Sequence, residues 1–235
     1  PRGRRQRLLK GIAGANALLV MFDDRVDAEF LDACGPQLAG LCTFAVGYDN
    51  IDLKACADRK VVVTNTPDAV TEGTANMAIG LLLAVSRMIV QGDAFVRSGR
   101  WAKEGNDFPH GWMGQHLSGQ SLLIVGAGRI GRAVAHRGLA LGLRTLYTSP
   151  SRKIDWEGAP LCAQRVELDE GLAMADVVSL HCPLTPATRH LLDAKRLGLL
   201  RRHAIVINTS RGPVIDQVAL IAALRDRRIL GAGLD

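Results

Sequence analysis

Gly126-Ala127-Gly128-Arg129-Ile130-Gly131 follows the apolar run Ser121-Leu-Leu-Ile-Val125 and opens a helical pattern carried by Ile130, Val134, Leu139 and Leu141. Strand, glycine loop, then helix is the setting that a dinucleotide-binding fingerprint requires. Gly126 allows the tight turn, Gly128 lets backbone N–H groups approach a pyrophosphate, and Gly131 lets the helix sit close to the strand. The N-terminus of that helix, where Arg129 and Ile130 lie, points its dipole at the anion.

Outward from this loop, short apolar runs alternate with helical patterns along the chain. Downstream, strands are expected at 121–125, 144–148, 176–181, 204–208 and 231–234, with crossovers long enough for parallel pairing. Upstream, apolar runs at 17–22, 41–46 and 61–64 are separated by helical stretches at 27–33 and 52–59, a βαβαβ rhythm. One long apolar helix is expected over 72–99, leading into a Gly-rich, Trp-containing stretch. The expected fold class is α/β, with a Rossmann-type doubly wound parallel sheet and a smaller flavodoxin-like α/β domain before it. The smaller domain lacks a convincing first strand and the larger stops at Asp235 without a helix to cover its last strand, so both are expected to be incomplete.

The strand at 144–148 decides the cofactor. An NAD site normally places Asp or Glu at its end to hold the ribose hydroxyls, whereas this strand runs into Ser149-Pro-Ser-Arg-Lys153. Hydroxyls at Ser149 and Ser151 with the cation of Arg152 suit a 2′-phosphate, so NADP(H) is preferred and NAD(H) remains possible. An ordinary basic surface turn is the plainer alternative.

Composition narrows the rest. Hydrophobic residues make up 48% and charged residues 22%, enough apolar material for a large core and too little charge for disorder. Aromatics at 4% are too few for base-stacking, which argues against nucleic acid as a partner. Arg2, Arg4, Arg5 and Arg7 supply four of the six net positive charges, so the basicity belongs to one end, read as a solvated helix face before Leu8, Leu9 and Ile12. Five cysteines show neither C-x-x-C pairing nor metal-ligand spacing, so no metal is expected and a reducing, cytoplasmic setting is. The most apolar stretch, 77–90, is broken by Arg87 and falls short of the roughly 20 residues that cross a bilayer, so no membrane partner is expected.

Three further segments carry a resemblance: Ala45-Val-Gly-Tyr-Asp-Asn-Ile-Asp52, Thr64-Asn-Thr-Pro-Asp-Ala-Val-Thr-Glu-Gly-Thr-Ala75 and Ile207-Asn-Thr-Ser-Arg-Gly-Pro-Val-Ile-Asp216. With His181-Cys-Pro-Leu-Thr-Pro186 and Gly231-Ala-Gly-Leu-Asp235, their order and spacing resemble the D-isomer-specific 2-hydroxyacid dehydrogenases, and among them the glyoxylate/hydroxypyruvate reductases. The resemblance implies hydride transfer between a nicotinamide and C2 of a small 2-oxo or 2-hydroxy acid. It implies a substrate domain over 1–76, an interdomain helix and dimerisation-type segment over 77–118, in which Trp101 and Trp112 pack at a subunit interface or in the core, and a dinucleotide domain over 119–235. A homodimer is the expected assembly.

By the same resemblance Arg211 is the catalytic and substrate-binding arginine, its planar fork suited to a carboxylate with a donor left for the carbonyl oxygen. Val46 and Gly47 match the positions whose backbone N–H groups hold the carboxylate from the other side. Thr74 matches a cofactor contact, Cys182 and Pro183 the adenine-side wall, and Thr209 and Asp235 the nicotinamide side. Asp216 is read as a helix cap. The family's proton donor, a histidine paired with glutamate, is expected after Asp235 in the motif order; His110, His116, His136, His181, His190 and His203 do not occupy its place. Open alternatives are an NAD-dependent relative of the phosphoglycerate or D-lactate type, a dinucleotide-sensing corepressor-like protein, and an inactive fragment.

Overall fold

In the computed structural model, residues 2–104 and 112–235 are described. The chain divides into two units, Pro1–Val70 and Thr71–Asp235. The first holds α1 (Arg2–Gly11), β1 (Ala17–Val20), α2 (Ala28–Cys34), β2 (Gly40–Thr43), α3 (Leu53–Asp58) and β3 (Val62–Thr64). Its strands form a parallel sheet in the order β1-β2-β3. Val20 and Leu41 are buried with Phe30, Leu31, Cys34 and Cys56 of the helices. Leu19, Val62 and Phe44 are exposed. Asp27 and Asp52 start α2 and α3 by accepting the N–H of Phe30 and Ala55, which satisfies otherwise orphaned donors of the first turn. The basic α1 meets acids of its own unit, Arg4 bonding Asp23 and Arg5 bonding Asp27, while Leu8 and Leu9 pack on the core.

The second unit holds α4 (Thr71–Ser86), α5 (Ile89–Arg97), α6 (Arg100–Glu104), β4 (Ser121–Val125), α7 (Arg129–Ala140), β5 (Arg144–Thr148), α8 (Ile154–Glu157), β6 (Gln164–Arg165), α9 (Leu168–Met174), β7 (Val177–Leu180), α10 (Ala194–Leu197), β8 (Ile205–Asn208), α11 (Gln217–Arg225) and β9 (Gly231–Leu234). Six parallel strands run in the order β6-β5-β4-β7-β8-β9. Successive strands step away from β4 in one direction and then from β7 in the other, which makes a doubly wound sheet whose topological switch lies between β4 and β7. Leu122 and Ile124 pack with α4, α7 and Trp156; Leu123 and Val125 pack with α9, α10 and α11. Burial on both faces explains why β4, β7 and β8 read as nearly unbroken apolar runs.

One expectation is corrected. The expected helix over 72–99 is two helices bent by 61°, because Met88 takes a left-handed φ of 54° between them. The carbonyl of Ser86, freed at the break, accepts the N–H of Gln115 at 2.7 Å, and Gly114 passes so close that a Cβ would lie 3.0 Å from that same oxygen. The division between the two units falls at 70/71. Ala75, Ala78 and Leu82 of α4 are buried in one cluster with Val134, Ile205 and Ile207, so α4 is part of the second unit's core. Among the described residues no single helix is long and apolar enough to cross a membrane.

A polar staple closes the N-terminal edge of this sheet. Asp176, its side chain 7% exposed, accepts the Ser121 N–H at 2.8 Å, Arg201 at 2.8 Å and His203 at 2.7 Å. Burial alone would raise its pKa, but these three donors outweigh it and hold the carboxyl below its ordinary 3.8. Asp176→Ala strands the buried Ser121 N–H and is expected to cost about 2–4 kcal/mol in urea unfolding. Because the folded-state pKa is the lower one, the wild-type contribution is complete above the unfolded value and drains away as pH falls through the folded one. The variant should therefore lose less stability than wild type on acidification below pH 3.8.

Candidate functional site

In a parallel sheet every strand ends on the same edge, so the loops after β4, β5, β7 and β8 and the end of β9 line up, and in open α/β sheets that edge at the switch point is where ligands bind. The glycine loop follows β4, beside the switch. Gly126 has φ +102°, and a Cβ there would lie 2.7 Å from the Cys182 nitrogen, so only glycine lets the β4 and β7 loops touch. A Cβ on Gly131 would come within 2.4 Å of the Gly126 carbonyl oxygen and 2.9 Å of Ile124 Cγ2, which is how α7 lies so close on β4. Gly128 differs: it caps α7 and, among the described residues, nothing lies within 4 Å of where a Cβ would stand. The open space lies at the positive end of a helix of 12 residues. Arg129 and Ile130 form its first turn, Ile130 packed on the core.

After β5, Ser149, Ser151 and Arg152 sit where the sequence places them, half-buried or exposed. Arg152 is not an isolated cation. Its Nε donates to both oxygens of Glu157 at 3.0 and 2.9 Å, and the hydroxyl of fully buried Tyr147 donates to the same carboxylate at 2.8 Å. Arg152, and after it Tyr147, hold the Glu157 carboxyl down to about 2. The strand end itself carries Ser149, and the acid beside Arg152 comes from α8, brought back by tertiary contact.

After β7, Cys182 is buried and Pro183 exposed. Burial raises the Cys182 thiol pKa, so it is no nucleophile at neutral pH. Burial also pushes His181 down to about 4. Its Nε2 lies 2.8 Å from Ser179 Oγ, and the lowered pKa favours the neutral ring at neutral pH.

The loop after β8 is shaped by Asn208, whose side chain is bonded at both ends. Its Oδ1 accepts the Ser210 N–H at 2.9 Å and the Ser210 hydroxyl at 2.8 Å, and its Nδ2 donates to the Arg211 carbonyl at 3.0 Å. Arg211 is thereby held at the strand end, half-buried, with Nη1 donating to the Ser210 carbonyl. Asp235 N–H pairs with the Asn208 carbonyl at 3.0 Å, so the end of β9 stands beside this loop. Asp216 caps α11 through the N–H groups of Val218 and Ala219.

Thr74 lies in the first turn of α4, half-buried. Val46 and Gly47 belong to the first unit; the strand expected to include Val46 ends at Thr43, and the loop beyond is held by Asn65 donating to the Val46 carbonyl at 2.9 Å. Thr209 Oγ1, His181 Nδ1 and Thr71 Oγ1 are buried without a partner among the described residues. Buried polar atoms normally are paired. Thr209 and His181 follow adjacent strands on the ligand-binding edge, so the donor and acceptor set there suits a polar ligand. Sequence reasoning singled out none of Thr71, His181, Asn208 and Glu157 as binding or positioning residues; an Asn directly before the Thr-Ser-Arg motif is the one local sign of the buttress after β8. His110 lies outside the described residues, and His203 is on the opposite edge with Asp176.

Residues 79–235 match the family described as "D-isomer specific 2-hydroxyacid dehydrogenase, NAD binding domain". A glyoxylate reductase of Thermococcus litoralis is 45% identical over 229 residues, covering 97% of this chain and 69% of its own length. Among solved structures, the TT0316 protein of Thermus thermophilus superposes with a TM-score of 0.88 at 43% identity, covering 98% of this chain and 71% of that one. An acyclic imino acid reductase in complex with NADPH and D-Arg gives 0.88 at 27% identity over the same shares.

Proposed function

Since the chain belongs to the D-isomer-specific 2-hydroxyacid dehydrogenase family, we propose that it reduces glyoxylate, hydroxypyruvate or a similar 2-oxo acid to the D-2-hydroxy acid, using NADP(H) in preference to NAD(H). The observation that carries this reading is the Asn208-held loop that sets Arg211 on the same sheet edge as the glycine loop.

The nicotinamide, when bound, supplies the hydride. Gly126, Gly128 and Gly131, with Arg129 and Ile130 at the head of α7, receive the pyrophosphate. Cys182 and Pro183 wall the adenine side, and Thr74, Thr209 and Asp235 face the nicotinamide side; a bound dinucleotide would give the orphaned Thr209 hydroxyl its partner. Arg211 binds the substrate carboxylate with its fork and stabilises the negative charge that develops on the carbonyl oxygen as C2 takes the hydride. Protonation of the oxygen completes the reduction. Neither His181, which is neutral, nor His203, which is bound to Asp176, has the character of the donor.

Ser149, Ser151 and Arg152 support the NADP(H) preference, and the NADPH-bound structural relative is consistent with it. The exposed Ile89, Val90 and Val96 of α5, next to the Phe95–Trp112 and Phe95–Trp101 edge-to-face pairs, suit a homodimer surface. Five free thiols suit a cytoplasmic protein.

The test is the loss of nicotinamide absorbance with glyoxylate and with hydroxypyruvate, using NADPH and NADH in turn. Failure to oxidise either dinucleotide with any 2-oxo acid would end the reading. Faster turnover with NADH would end only its cofactor part.

A further inference from the structure

Arg152 is the residue proposed above to meet a 2′-phosphate, and the structure gives it a permanent neighbour. Surface ion pairs between two mobile side chains are weak and wander. Glu157 does neither, because its surroundings are fixed. Trp156, 2% exposed, roots α8 in the core. The Tyr147 hydroxyl donates to Glu157 Oε1 at 2.8 Å and itself accepts the Lys153 N–H at 2.8 Å, so the strand end, the turn and the helix are tied at one point. The guanidinium then meets Glu157 through Nε and Nη2, which lie on one edge of the fork. The side chain of Arg152 is 64% exposed while that of Glu157 is only 21% exposed, so the cation is the more accessible member of the pair.

We propose that Glu157 sets how strongly this chain discriminates between the two nicotinamide dinucleotides, by holding a fixed negative charge against the cation that would receive the 2′-phosphate. A phosphate is drawn to Arg152 and repelled by the carboxylate next to it. A ribose 2′-hydroxyl, which is uncharged, is nearly indifferent to both. Glu157 therefore lowers affinity for the phosphorylated cofactor alone and brings the two affinities together. It is a positioning residue, acting through Arg152, and the inference rests on the NADP(H) reading.

Glu157→Gln keeps the size of the side chain and an oxygen that can accept from Tyr147 and Arg152, but removes the charge. Dissociation constants for NADPH and NADH are read by fluorescence titration, with no turnover required. The NADPH constant should fall about fivefold to tenfold, the NADH constant should move less than about twofold, and the difference should shrink as salt is raised. Glu157→Ala, checked for folding by circular dichroism, should shift the ratio in the same direction. An unchanged ratio overturns the inference, and so does a shift toward NADH, which would mean that Glu157 orients Arg152 more than it screens it. Arg152→Ala separates this from the parent reading. If that variant weakens NADPH while Glu157→Gln moves nothing, only the role of Glu157 fails; if it leaves NADPH binding unchanged, Arg152 is not the 2′-phosphate ligand and both fall.

Discussion

Arg211→Ala should lower kcat/KM for glyoxylate by about a thousandfold, or about 4 kcal/mol of transition-state stabilisation, while leaving the dissociation constant for NADPH within about twofold. The size follows from two losses at once: the bidentate grip on the carboxylate, and the donor that meets developing negative charge on the carbonyl oxygen. Arg211→Lys keeps the charge and loses the fork, so it should recover only part of the rate. The curve of the loop should persist, because Asn208 sets it through main-chain partners that any residue at 211 provides. An alanine variant that turned over glyoxylate at a wild-type rate would remove Arg211 from the site.

The glycine loop offers a second large effect, and a contrast within six residues. Gly131→Ala places a Cβ 2.4 Å from a main-chain oxygen, which no rotamer change can relieve, so α7 must lift off β4. The expected loss of about 3 kcal/mol from overpacking outweighs the gain of about 1 kcal/mol from replacing glycine inside a helix. Gly128→Ala is the reverse case. With φ −97° and ψ −164° alanine is unstrained there, and nothing lies within 4 Å, so stability should change by no more than about 0.5 kcal/mol. Dinucleotide affinity should nevertheless fall at least about tenfold, because the added methyl occupies the space where the backbone approaches the pyrophosphate. Thermal unfolding and cofactor titration on both variants check the pair, and unchanged binding by Gly128→Ala would mean that the open space is not the phosphate site.

The elements that could be read from sequence are those whose local chemistry is unambiguous. The bounds of β4, β5 and β9 coincide with the sequence expectation, since strands buried on both faces or bracketed by glycine carry their signal in consecutive residues. β6 is two exposed residues, Gln164 and Arg165, on the sheet edge, and no periodicity can be seen in two residues. The break after Ser86 carries no glycine or proline to announce it, and the carbonyl freed there is claimed by Gln115, far along the chain. The same division holds at the site. The three candidate glycines, Arg211 and Ser149 stand in motifs, whereas Glu157 is tied to a tyrosine 10 residues earlier and an arginine 5 residues earlier, a relation that exists only once α8 has folded back.

The buttress at Asn208 has a consequence for how such a protein could change its chemistry. A loop whose shape depends on the side chain it displays cannot be altered without being rebuilt. Here shape and display belong to different residues: position 208 holds the curve and position 211 presents the proposed substrate-binding group. Position 211 is thus a socket, in which a new side chain can be tried against a new substrate in a single substitution while the scaffold beneath it stays as it was.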